Sequence, residues 1–461
     1  MRTHNPIAVL GGGPAGLGAG YFLRACDRSF CIYETADRVG GNCVTHELSG
    51  FLFDSGAHRL HNKDPEITQI ITDLVGNDLL RVDVPSAIYD SGRFVDFPLS
   101  PLNLLSTLGL REVWCSSADW LLAKLHPVDA DHFGALAVNR YGRRLANRFL
   151  LNYSEKLWGE SPERLSAGIS GGRLKGLTIK TFLMEGLLGR TKKTAHLDGT
   201  FLYPRRGYGV IAERLADACG RTNIRLGQQV TRVLHADGKI EAIELNHADR
   251  VEVGQVISTL PLPLFIERMD PPAPPGILDL ARRLRFRNVL LVGLILDRSQ
   301  VMTFATLYFP SSKYPFTRVF EPANRSTAMV PRGRTSLLVE IPVADGGPPD
   351  DEAVESLKRQ TVEQLCDIGL IAREEISDVF SLCLPHAYPV LELGVEERVA
   401  SILNYLSGFT NLSISGRNAR FEHASLHNTL RRSKDTVAQM GERTKSARSA
   451  HNGEVTLEAA T

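Results

Sequence analysis

The stretch Ile7-Ala8-Val9-Leu10-Gly11-Gly12-Gly13-Pro14-Ala15-Gly16, running on to Phe30-Cys31-Ile32-Tyr33-Glu34, decides the fold. Ile7 to Leu10 is a short apolar run of the kind that forms a strand buried in a parallel sheet. Gly11, Gly13 and Gly16 then follow the spacing G-x-G-x-x-G into the start of a helix. In that spacing the first glycine makes the tight turn, the second lets the backbone approach a pyrophosphate, and the third packs helix against strand. Pro14 and Ala15 sit inside the same turn, at a helix N-terminus whose amide groups and dipole suit phosphate. Phe30 to Tyr33 reads as the next strand. Glu34 ends it, 18 residues past Gly16, where a carboxylate can accept from ribose hydroxyls. A glycine triplet alone is a weak signal. Strand, glycines, helix, strand and terminal acid within 35 residues form a dinucleotide-binding unit.

Composition narrows the rest. At 461 residues the chain is long enough for two or three lobes, and 43% hydrophobic residues support full-sized cores. A formal net charge of +1 makes no electrostatic case for nucleic acid or an anionic membrane as partner. The seven cysteines are scattered without C-x-x-C or paired-histidine spacing. That argues against a structural metal site and against a disulfide framework, and it suits a cytoplasmic setting. The N-terminus runs straight into a strand, leaving no room for a signal peptide. The longest plain apolar run, Val289 to Leu296, is far shorter than the ~20 residues of a membrane span.

Beyond Glu34, Asp37-Arg38-Val39-Gly40-Gly41-Asn42 resembles the paired-glycine motif of a large flavoprotein group. That group holds amine oxidases, protoporphyrinogen oxidases and sugar-nucleotide furanose mutases. The resemblance implies FAD as cofactor, with Arg38, Gly40, Gly41 and Asn42 beside its diphosphate. Gly56-Ala57-His58-Arg59-Leu60-His61 is similar to a segment of the mutases of the UDP-galactopyranose mutase type. There it lies along the flavin ring, and His61, with His58, would tune its redox state, since histidine changes charge near neutral pH. The plainer reading of both is histidines that only hydrogen-bond the backbone. Tyr153-Ser154-Glu155-Lys156-Leu157-Trp158-Gly159 resembles a mutase segment whose tryptophan lines the substrate cleft, although Trp158 also suits an ordinary core. Arg173, with Lys175 near it, falls where mutases carry a diphosphate-binding arginine, and a solvated pair fits as well.

Three more segments carry the resemblance. The stretch around Tyr203-Pro204-Arg205-Arg206-Gly207 resembles the return to the FAD domain, with Tyr203 at the substrate. Tyr314-Pro315-Phe316-Thr317-Arg318-Val319 and His386-Ala387-Tyr388-Pro389-Val390 resemble segments that grip the substrate diphosphate through Arg318 and Tyr388. An arginine fork suits phosphate oxygens, although an ordinary ion pair is the plain alternative. Val230 would meet adenine, while Gly416, Arg417 and the helix starting near Leu426 and His427 would close on the flavin. The final motif departs from the family. In Phe421-Glu422-His423-Ala424-Ser425, His423 stands where a phosphate-binding tyrosine is expected and Ser425 near an expected acid.

The fold expected is α/β: a Rossmann-like, glutathione-reductase-like FAD-binding domain with a helical insertion and an antiparallel-sheet substrate lobe. Residues 1–96, 200–268 and 379–436 make the FAD-binding domain. Residues 97–199 make the helical lobe, 269–378 the sheet lobe, and 437–461 a polar, disordered tail. Leu121, Leu122 and Leu125 are spaced for one helix face, as are Leu145, Phe149 and Tyr153. Asp237-Gly238 marks a hairpin, and Pro271 to Pro275 a stiff linker with little room for helix. The resemblance implies an isomerase working on a nucleoside-diphosphate sugar. In that family the N5 of reduced FAD attacks the anomeric carbon, and the sugar recloses with another ring size and no net redox. The alternative is an FAD-dependent oxidoreductase, an amine oxidase, protoporphyrinogen oxidase-like oxidase or desaturase acting on a small metabolite. A flavoprotein without turnover, serving as a binding or assembly partner, is a third and weaker reading. Oligomeric state is not legible.

Overall fold

The computed structural model describes residues 5–97, 105, 107–170, 200–344, 347 and 349–458. A five-stranded parallel sheet carries the glycine-rich turn. Its order is Leu412–Ile414, Val256–Ser258, Ile7–Leu10, Phe30–Tyr33, Ile224–Arg225. Ile7–Leu10 is buried at every position, as a central parallel strand must be. The turn at its carboxyl end therefore opens into the crevice where such sheets bind ligands. The helix Pro14–Ala25 follows, and Gly16 lets it close on the strand: a Cβ there would stand 1.9 Å from the Gly11 carbonyl oxygen. Helix Leu426–Glu458 packs across it, with the Ser433 hydroxyl donating to the Ala15 carbonyl at 2.9 Å.

A second sheet of four strands pairs Val230–Ala236 with Lys239–Leu245 through the expected Asp237-Gly238 turn. Asp237 and Gly238 both have positive φ, 47° and 68°, which suits the twist of a tight hairpin.

The third sheet forms the wall opposite the glycine turn. Its seven strands run Ile376–Pro389, Phe286–Leu296, Thr335–Val343, Arg318–Phe320, Thr306–Tyr308, Ser86–Asp90, Arg93–Phe97. All neighbours are antiparallel except Thr306–Tyr308 with Ser86–Asp90. The pleat sorts its side chains. Leu290, Val292, Leu294, Leu337, Val339 and Val319 face one core, closed by Leu365 of helix Asp351–Asp367. Val289, Leu291, Leu338 and Phe320 face the other, against Phe51 and Phe53 of the hairpin 45–54. That second face also carries a polar row, because Tyr308 is opposite Arg318 and Arg318 is opposite Glu340.

Two expectations are corrected here. The hairpin 86–97 and the strand Ile376–Pro389 belong to the antiparallel sheet, so sheet membership does not follow the divisions at 96 and 379. Their pairing is with strands far along the chain, which local pattern does not reveal. Leu121, Leu122 and Leu125 do lie on one helix, as their spacing implies. They are exposed on helix Leu110–Leu125, as are Leu110 and Trp114, each with 77% of its surface accessible. Phe149 does pack, with Ile88 and Val95 and with Leu145 beside them. The proline-rich stretch joins a helix only at its last residue, where Pro275 opens Pro275–Arg282 from a position where its missing N–H is harmless. Finally, the last helix runs to Glu458 rather than ending before a disordered tail. Val437 and Met440 join the core around Leu17 and Leu23, so polar composition conceals an apolar stripe.

Among the described residues no helix is long and apolar enough to cross a membrane, and no cluster of His, Cys, Asp and Glu is arranged to hold a metal ion. All seven cysteines are unpaired.

Candidate active site

The site begins at the glycine turn. Gly11, with φ 103°, donates its N–H to the Tyr33 carbonyl at 2.8 Å, and a Cβ there would lie 2.5 Å from Thr259 Oγ1. Gly12 donates to Glu34 Oε2 at 2.6 Å and accepts from the Gly40 N–H at 2.9 Å. The paired glycines are thereby tied onto the first glycine turn. Gly41, with φ 52°, faces Gly13 across bare backbone, and a Cβ built on Gly41 would stand 3.3 Å from the Gly13 Cα. A dinucleotide diphosphate fits this cradle: no side chain intrudes, and the N-terminus of a 12-residue helix supplies N–H donors. Gly416, φ 102°, packs on Ala15 beside it. Val230 is buried at the start of its strand. Leu426 is the first residue of the last helix and packs on the core below the glycine turn. Arg38 points outward to His46 Nδ1 at 3.1 Å, at an exposed position.

The loop 54–61 is braced from below. Asp54, 1% exposed, accepts from Thr45 Oγ1 at 2.7 Å, Tyr203 Oη at 2.5 Å and the Tyr208 N–H at 2.9 Å. His58 stacks on Tyr208 with centroids 4.8 Å apart, and its buried Nε2 has no hydrogen-bond partner among the described residues. Burial pushes its pKa down to about 4, so the ring is neutral at physiological pH. His61 meets the edge of Phe201 at 6.1 Å. Tyr203 is a correction: it is fully buried, held by Asp54, and serves as a brace rather than a substrate contact.

The polar row on the antiparallel sheet faces this loop. Arg318 donates Nε and Nη2 to the two carboxylate oxygens of Glu340, both at 2.6 Å, and Nη2 also donates to Tyr388 Oη at 2.7 Å. Tyr388 Oη in turn donates to Glu340 at 2.9 Å. Burial alone would raise the Glu340 carboxyl, but Arg318 beside it holds it below the usual carboxylate range. Burial pushes the Tyr388 phenol up to about 12. Trp158 stands edge-on to Tyr388 at 5.9 Å and to His423 at 5.7 Å. Tyr153 approaches Tyr308 at 6.1 Å. Arg318, Tyr388, Trp158 and His423 thus converge, as the resemblance implies for them. Arg173 lies outside the described residues.

The two halves are fastened together just before Tyr388. Asn42 Nδ2, Asn418 Nδ2 and Arg417 Nη2 donate to the successive carbonyls of Pro385, His386 and Ala387, at 3.3, 3.1 and 2.7 Å. Asn42 and Arg417 are two of the expected cofactor residues, and here they anchor the strand that presents Tyr388. The sequence reading missed Glu340 and Tyr308. Glu340 did leave a signal, as a lone acid inside the apolar run Leu337-Leu338-Val339-Glu340-Ile341.

Parallel sheet, glycine cradle and opposing antiparallel wall define a dinucleotide-binding protein with a second, sheet-walled lobe. Residues 14–380 match the flavin containing amine oxidoreductases, and the chain belongs to that family. Its cofactor is FAD. In sequence it is similar to protoporphyrinogen oxidase 2, chloroplastic/mitochondrial, of Arabidopsis thaliana, 27% identical over 104 residues, which are 22% of this chain and 20% of that protein. The chain thus spans about a fifth of the length of the curated relatives it matches. In structure it is similar to reduced UDP-galactopyranose mutase, with a TM-score of 0.82 and 18% identity, covering 95% of both chains. It is also similar to a protoporphyrinogen oxidase-like protein from Exiguobacterium sp. 255-15, with a TM-score of 0.73 and 19% identity, covering 95% of this chain and 99% of the other. These likenesses establish the fold.

Proposed function

We propose that this flavoenzyme binds a nucleoside-diphosphate sugar and changes the ring size of the sugar without net redox. The observation that carries the reading is the fixed arginine at the sheet face. Glu340 takes the Nε and Nη2 of Arg318, which orients the guanidinium and leaves Nη1 without an acceptor among the described residues. A cation held in this way in a buried site stabilises a leaving diphosphate without reorganising. Tyr388 adds a hydroxyl beside it, Trp158 an apolar wall, and His423 a group that can hold phosphate when protonated. Reduced FAD would supply the nucleophile for the anomeric carbon. His58 and His61 line the loop read as facing the flavin, and a neutral His58 adds no charge there. The unpaired cysteines suit a cytoplasmic enzyme.

A second reading has its own support: the family model and the replacement of the expected tyrosine by His423 fit an oxidoreductase acting on a small metabolite. Turnover separates the two. Dithionite-reduced protein, incubated without oxygen with the pyranose forms of UDP-, dTDP- and GDP-hexoses, should yield a furanose product resolved by chromatography. Peroxide formation from an amine, with no sugar product, would favour the oxidase.

A further inference from the structure

We propose that Arg59 reads a carboxylate on the sugar, so that the substrate is the nucleotide conjugate of a sugar acid. The proposal rests on the nucleotide-sugar reading and narrows it. Arg59 lies in the loop 54–61 and reaches across to the antiparallel sheet. Its Nη2 donates to Ser86 Oγ and Thr306 Oγ1, both at 2.7 Å, and its guanidinium lies 5.2 Å from the centre of the Phe201 ring, which also meets His61. Ser86 and Thr306 are paired on neighbouring strands. Thr306 is two residues from Tyr308, so the pleat puts both on the face that carries Arg318 and Glu340. Arg59 therefore stands at one end of the polar row and Arg318 further along it.

The charges around it do not balance. Both buried carboxylates nearby are taken: Glu340 by Arg318 and Tyr388, Asp54 by Thr45, Tyr203 and Tyr208. Arg59 has neither. Its Nε and Nη1 have no acceptor among the described residues, and its two hydroxyl partners are neutral. Burial disfavours its cationic form; Tyr308 beside it acts the other way, and Arg325 and Arg318 add like charge. Arg325 is itself 3% exposed, stacked on Phe320 at 4.4 Å and 5.8 Å from the centre of the Tyr203 ring, with no carboxylate paired to it among the described residues. A partly buried cation held on two hydroxyls, in a field of like charge, calls for an anion from outside. With the diphosphate assigned to Arg318, the anion left for Arg59 is on the sugar. The nitrogens left open suit a carboxylate accepting charge-assisted hydrogen bonds.

The test is a titration of the FAD-loaded protein with UDP, UDP-glucose, UDP-galactose, UDP-glucuronate and UDP-galacturonate, followed by flavin absorbance. The same set is run on Arg59→Gln and Arg59→Lys. The expected result is at least tenfold tighter binding of one uronate than of its neutral hexose. That ratio should fall to near one in R59Q and be partly kept in R59K. The wild-type ratio decides the matter even if a variant fails to load FAD. A ratio near one in the wild type, or one that survives in R59Q, overturns the proposal while leaving the nucleotide-sugar reading intact. A change in the flavin midpoint potential of R59Q with no change in the ratio also overturns it, assigning Arg59 to the flavin. No response to UDP or to any conjugate overturns both.

Discussion

Glu340 shows how much of this site depends on single side chains. It is 1% exposed and shares both oxygens with Arg318. Replacing it by Gln leaves a buried guanidinium without its carboxylate, which costs about 3–5 kcal/mol of stability. Replacing both partners, as in Arg318→Met with Glu340→Leu, should cost clearly less than E340Q alone, because no uncompensated charge remains. Denaturant melts of the set check this, and equal costs would contradict a buried pair. Protonation tests two other residues. His58 and His427 both have pKa values pushed down to about 4, chiefly by burial. His427 is 2% exposed, with Nε2 2.9 Å from Thr68 Oγ1. In the unfolded chain each titrates near 6.5, so between the two values the unfolded state binds more protons. Stability is then full above about pH 6.5 and falls as pH drops towards 4, each histidine contributing on the order of 3 kcal/mol at most. Melts across this range should show a shallower loss in His427→Gln than in the wild type; parallel curves would count against burial as the cause.

At the scale of elements, the glycine cradle is the sharpest case. In Gly41→Ala the new Cβ meets a left-handed backbone, costing about 1–2 kcal/mol, and narrows the bare gap to Gly13. FAD loading, read from the flavin absorbance of purified protein, should drop sharply while far-UV circular dichroism holds. Full loading would show that the diphosphate lies elsewhere. The helix Leu110–Leu125 gives the opposite expectation. Trp114→Gln should change stability by no more than about 0.5 kcal/mol, because that indole is exposed. A much larger loss in a thermal melt would mean that its face is covered. These two elements also mark what was legible. The glycine turn is local: strand, turn, helix and acid lie within one short stretch, and each obeys its own rule. The helix face is not, because regular spacing of Leu121, Leu122 and Leu125 says that an apolar face exists and not what it meets. The sheet that takes in the hairpin 86–97 was not legible, since its partner Thr306–Tyr308 lies over two hundred residues away. In the site, Arg318, Tyr388, Trp158 and His423 were reached through a resemblance of short motifs. Glu340 carries no motif of its own, and Arg59 sits within the stretch Gly56 to His61 without a role read for it there; only the fold brings the two beside the others.

The molecule as a whole joins a cofactor cradle to a facing wall at few points. Asn42, Arg417 and Asn418 bond three successive carbonyls on the approach to Tyr388, so the elements that hold FAD also set the position of the phenol. Protein stripped of FAD should therefore bind nucleotide at least tenfold more weakly than the loaded form, by calorimetry. Equal affinity would show that the wall is organised without the cradle. The most direct measurement is titration of the anaerobic, dithionite-reduced protein with UDP, dTDP and GDP, followed by flavin absorbance and fluorescence, in the wild type and in Arg318→Ala. The account predicts saturable binding of one nucleotide in the wild type and at least a tenfold weaker response in R318A. No response to any of the three, or the same affinity without Arg318, would contradict it.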